Sequence, residues 1–101
     1  MKMMIQRFRM SPSFRSAIFR AKRWFYATFC KNTPKEIIEE NKKMWVQLAS
    51  KLIEESNKLG ISDKPTRLEI EYEVVDGKFK PVRATIEAFE FKSLGKHTIS
   101  I

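Results

Sequence analysis

RLEIEYEVVDG, residues 67–77, is the stretch on which the fold turns. Leu68, Ile70, Tyr72 and Val74 alternate with Arg67, Glu69, Glu71 and Glu73, the period-two pattern of a strand with one buried and one wet face. Asp76-Gly77 then reads as a hairpin turn. Beyond it the alternation resumes, with Val82, Ala84, Ile86 and Ala88 against Arg83, Thr85 and Glu87. The two apolar sets must meet on one face, because a slip of one residue turns every side chain over. A two-residue loop at Asp76-Gly77 pairs Ile70 with Arg83 and fails that requirement. A three-residue loop, Val75-Asp76-Gly77 with Gly77 left-handed in a G1 bulge, pairs Tyr72 with Lys80, Ile70 with Val82 and Leu68 with Ala84. The spacing therefore predicts the bulged loop. It also sets Glu69 opposite Arg83, and Pro81 opposite Glu71, which puts the second strand near an edge. Ser93-Leu94-Gly95 is a second turn signal, and Lys96–Ile101 is read as a third strand.

Upstream of this sheet lies a helix signal. Thr33-Pro34-Lys35-Glu36 offers Thr33 as cap, Pro34 as first helical residue and Glu36 as capping-box partner. Apolar residues then recur at Ile37/Ile38, Met44/Trp45, Leu48/Ala49, Leu52/Ile53 and Leu59, the spacing of an amphipathic helix. Gly60 reads as its stop, so the helix is expected over 34–59. Its stripe includes Trp45, which is assigned to the core. Ser11-Pro12 starts a second helix, expected over 12–30, with Phe14, Ile18, Ala21, Phe25 and Phe29 at helical spacing. Residues 1–10 show no period and read as a tail that orders on binding. The fold class is α+β and two-layered: one long amphipathic helix on a small antiparallel hairpin or three-stranded sheet, preceded by a basic aromatic tail and helix.

The charge is unevenly placed. Residues 1–33 hold eight cations and no acid, whereas residues 34–101 hold twelve of each sign, so the whole net charge of +8 lies in the first third of the 101-residue chain. That third also holds 7 of the 12 aromatics and five of the seven arginines. The chain divides into a cationic, aromatic extension, 1–33, and a charge-balanced α+β body, 34–101. Such asymmetry points to a polyanionic partner. Arginine grips phosphate bidentately, and aromatic rings stack on unpaired bases. The candidate nucleic-acid-binding residues are Lys2, Arg7, Phe8, Arg9, Arg15, Arg20, Lys22, Arg23, Trp24, Tyr26 and Lys31.

RNA is favoured over DNA as the partner, because folded RNA concentrates phosphate and splays bases. The expected role is a structural component of a ribonucleoprotein such as the ribosome, with neighbouring proteins as further contacts. Two alternatives stand beside it. One is a single-strand-binding module on the hairpin face, where Phe79, Phe89 and Phe91 share the nominal face of Arg83. The other is a protein of anionic membrane surfaces. The sequence carries no RNP-type aromatic motif, GXXG loop, zinc finger or P-loop, and no cofactor is implied. One Cys and one His cannot assemble a His/Cys zinc cluster. Glu69, Glu71 and Glu73 read as a solvated row balanced by Arg67, Lys80 and Arg83 rather than as an acid–base pair, so a non-enzymatic protein is expected. A single Cys fits a reducing, cytoplasmic setting, while the Arg-rich acid-free start keeps organelle import as a second reading.

Overall fold

The computed structural model describes residues 3–101. Five elements follow in order: β1 (Met3–Arg7), α1 (Phe14–Phe29), α2 (Lys35–Leu59), β2 (Thr66–Val75) and β3 (Lys78–Ala88). The three strands form one open antiparallel sheet in the order β1-β2-β3. Thr66, Leu68, Ile70 and Tyr72 on the central strand are buried, as their alternation demands. Both helices pack on that side, α2 over β3 and α1 over β2 and against α2. The architecture is thus the two-layer α+β arrangement expected.

The third strand comes from the other end of the chain. Residues 89–101 have no regular structure, so Lys96–Ile101 is not the expected third strand; the sheet is completed by Met3–Arg7, within the segment whose lack of a period predicts a tail that orders on binding. Pairing continues past β1: Phe8 N–H donates to Leu68 O (3.0 Å), and Ser11 and Thr66 exchange both backbone bonds (2.8 and 2.9 Å). Backbone pairing along a central strand and burial of Phe8 hold this segment, neither of which leaves an alternating signature in Met3-Met4-Ile5.

The hairpin also differs from the expected one. Asp76 (φ 52°) and Gly77 (φ 78°) both lie in the left-handed region, and Val75 pairs with Lys78, so the loop has two residues, with the left-handed pair of a type I′ turn. The extra residue sits within β3 instead. Tyr72 pairs with Pro81 and Glu71 with Arg83, leaving Val82 as a bulge, after which Ile70 faces Ala84 and Leu68 faces Ile86. The bulge restores the apolar match that a two-residue loop alone would break. It also lets Phe79 point inward, where it is fully buried, and so removes it from the hairpin's outer face.

Helix ends shift by small amounts. Pro34 is the N-cap of α2, not its first residue, and Thr33 Oγ1 donates to Lys31 O instead of capping, so the capping box does not form. Gly60 ends α2 in the left-handed conformation (φ 70°), as expected. α1 begins at Phe14, capped by Ser13, whose Oγ accepts from Ser16 N–H (3.2 Å).

The core crosses the charge boundary at 33/34. Phe8, Phe14, Ala17, Ala21, Phe25 and Phe29 bury together with Trp45, Leu52, Leu68, Ile70, Tyr72 and Phe79. Its centre is a cluster of rings: Trp24 meets Phe8, Phe29, Tyr72 and Phe79 edge-on at 5.4–6.3 Å, and Phe25 stacks on Trp45 at 5.2 Å. Asn41, also buried, ties α2 to the hairpin. Its side chain donates to Gly77 O (3.1 Å) and accepts from Phe79 N–H (2.8 Å).

Candidate nucleic-acid interface

α1 sorts its side chains by helical period. Phe14, Ala17, Ala21, Phe25 and Phe29 make the buried stripe, and the small Ala17 and Ala21 are fully covered. At roughly 100° per residue, Arg15, Phe19, Arg20 and Arg23 fall on the opposite side. There they line, with Ser16, a shallow depression of about 400 Å³. Phe19 is 62% exposed within this ring of arginines. None of the three guanidinium groups has a carboxylate within ion-pair distance among the described residues, and α1 carries no acidic residue. Cations held close together with no internal counter-charge present a field that an external polyanion would relieve.

A smaller cationic group lies on the flank of α1 that faces α2. Lys22 Nζ and Lys42 Nζ lie 5.8 and 5.7 Å from the centre of the Tyr26 ring. Tyr26 keeps an exposed edge and leans on Phe25.

The remaining candidates are dispersed. Arg7 lies on the outer face of the sheet, where its Nε meets Glu69 Oε1 at 2.8 Å. Phe8 is buried and Trp24 half-buried in the ring cluster, so neither offers a free face to a base. Arg9 and Lys31 are exposed, one before and one after α1. Lys2 lies outside the described residues. The structure therefore gathers Arg15, Arg20 and Arg23 at one place and Lys22 with Tyr26 at another. Phe19 and Lys42 were not anticipated. For Phe19 a signal exists: it stands four residues from both Arg15 and Arg23, hence on their face.

The outer sheet face is internally balanced. Arg7 pairs with Glu69, Arg83 with Glu71 and Arg67 with Glu87. Arg83 thus meets Glu71 rather than Glu69, a consequence of the bulge. Of the other hairpin-face aromatics, Phe89 lies under the Arg67 guanidinium (5.7 Å), and Phe91 is exposed beyond β3. Burial raises the pKa of the half-buried Cys30 thiol, with Lys42 pulling weakly the other way, and burial also raises the Tyr72 phenol. No group of three or more His, Cys, Asp and Glu residues able to hold a metal ion occurs among the described residues, and no helix among them is long and apolar enough to cross a membrane. No protein-family model, curated protein or solved structure matches this chain.

Proposed function

We propose that this protein is a non-catalytic RNA-binding protein, a structural component of a ribonucleoprotein such as the ribosome, that grips RNA with the outer face of α1. The observation that carries this reading is the placement of Arg15, Arg20 and Arg23 around an exposed Phe19, directly opposite the buried stripe and with no internal acid to satisfy them. Guanidinium groups supply phosphate contacts and Phe19 a ring for an unpaired base. Arg9, in the chain leading to α1, and Lys31, just after it, are exposed cations that can add phosphate contacts. Phe8 and Trp24 pack in the ring cluster, and Arg7 pairs with Glu69 on the outer sheet face, so these three stand apart from the α1 face.

The test is a titration with structured RNA, single-stranded DNA and duplex DNA at several salt concentrations. Structured RNA is expected to bind best, with affinity falling steeply as salt rises. Replacing Arg15, Arg20 and Arg23 with Gln should lower the slope of log affinity against log salt by roughly two to three, the contribution of three phosphate contacts. Phe19→Ala should cost about 1–3 kcal/mol if a base stacks there. Equal and weak binding to all three nucleic acids, or an unchanged triple variant, would remove the reading. Flotation with anionic vesicles and no binding to RNA would transfer the same face to a membrane surface.

A further inference from the structure

The side of the molecule away from α1 carries two uncovered features. The first is an apolar groove of about 590 Å³ between α2 and β3, floored by Ala84 and Ile86 and walled by Leu48, Leu52 and Leu59. It runs beside β3, an edge strand with no neighbour on that side among the described residues. Pro81 and the bulged Val82 interrupt this edge, but Arg83–Ala88 beyond them is regular and free to pair. The second feature is the segment after β3. Phe91, Leu94 and Ile99 are 78%, 92% and 83% exposed, and the segment stands clear of the body. The Cα radius of gyration, 16.8 Å, compares with about 13 Å for a compact chain of this length.

The two features match. Lys96–Ile101 alternates strictly, with His97, Ile99 and Ile101 on one side and Lys96, Thr98 and Ser100 on the other. Laid antiparallel on the β3 edge with Ile99 opposite Ile86 and Ile101 opposite Ala84, it would put its apolar set over the groove and its polar set on the wet face. We infer that the β3 edge and its groove receive Lys96–Ile101 from a second copy of this chain, in a reciprocal strand exchange.

The course of the segment and its face parity point to a second copy. Within one chain residues 89–101 run on from β3 without a turn or bend and are exposed from Glu90 onward, so Lys96–Ile101 lies off the β3 edge of its own molecule. Folding back at the Ser93-Leu94-Gly95 turn signal through a three-residue loop would pair Lys92 with Lys96 and Ala88 with Ser100. That register would turn Lys96, Thr98 and Ser100 toward the groove and set Ile101 opposite Glu87 on the charged outer face. A strand arriving from another molecule has no such constraint on register. Two copies exchanging segments also close a two-fold assembly in which neither groove stays open.

Sedimentation of the full chain from micromolar to several hundred micromolar tests this. A dimer is expected, converted to monomer by I99E/I101E with unchanged far-ultraviolet circular dichroism, since neither isoleucine touches the core. Leu59→Glu, on the groove wall and largely exposed, should dissociate the dimer as well. I86C/I99C should form a disulfide that links two chains on a non-reducing gel. A chain that is monomeric throughout, a dimer that survives I99E/I101E, or a disulfide closed within one chain would each overturn the inference. The last would mean that the chain's own segment fills the groove.

Discussion

Asn41 shows how much one side chain holds. It is one of two buried polar residues of α2, the other being Ser56, and both ends of its amide are used, one on Gly77 O and one on Phe79 N–H. Asn41→Ala leaves a buried N–H and a carbonyl without partners, at an expected cost of about 2–4 kcal/mol read from denaturant unfolding. A variant within about 0.5 kcal/mol of the parent would show that water replaces the amide. The sequence shows Asn41 as a polar residue on the apolar stripe of α2, four residues from both Ile37 and Trp45, but not what it bonds. Its partners, Gly77 O and Phe79 N–H, are 36 and 38 residues away. Trp45 and Phe25, by contrast, lie on helical stripes and are buried as their spacing demands. Phe19 was legible as an aromatic residue at the right spacing, but its role depends on which side of α1 the core takes.

Among the elements, the hairpin is the instructive one. The apolar sets of β2 and β3 require one extra residue somewhere, and the sequence states that requirement plainly. It does not say whether the extra residue belongs to the turn or to the strand. Either placement aligns Leu68 and Ile70 with even-numbered residues of β3. The deciding residue is Phe79: a three-residue loop would leave it beside Glu73 on the wet face, whereas the bulge at Val82 buries it. Deleting Val82 should consequently leave a regular ladder with the same partners, Glu71 to Arg83 and Ile70 to Ala84, and a cooperatively melting protein. Deleting Thr85 would turn Ile86 and Ala88 outward and should cost about 3 kcal/mol or more. Thermal melts of the two deletions followed by circular dichroism check this, and equal destabilisation would count against the assigned register. The start of α2 differs from the expected one for a related reason. Thr33 and Pro34 both carry cap chemistry, and one residue of offset costs the sequence pattern nothing.

At the scale of the molecule, charge and packing divide the chain differently. Residues 1–33 carry all of the excess charge, yet they supply β1 and four of the seven buried rings. Removing residues 1–10 should therefore act as a core deletion, through loss of β1 and of Phe8, and lower stability by about 3 kcal/mol or more, or abolish cooperative unfolding. A shortened chain melting at the parent temperature would mean that the strand contributes little. The charge asymmetry was legible because it is additive along the sequence. The third strand was not, because β1 is held by backbone bonds to a strand more than sixty residues away, and such bonds are indifferent to side-chain type. The ring cluster has one more consequence. Both indoles lie in it, Trp24 edge-on to four rings and Trp45 face-on to Phe25, while the arginine face of α1 contains none. Intrinsic fluorescence is thereby a gauge of the interior alone: its emission maximum should shift to the red when the core opens and stay put when an anion occupies the far side of the helix.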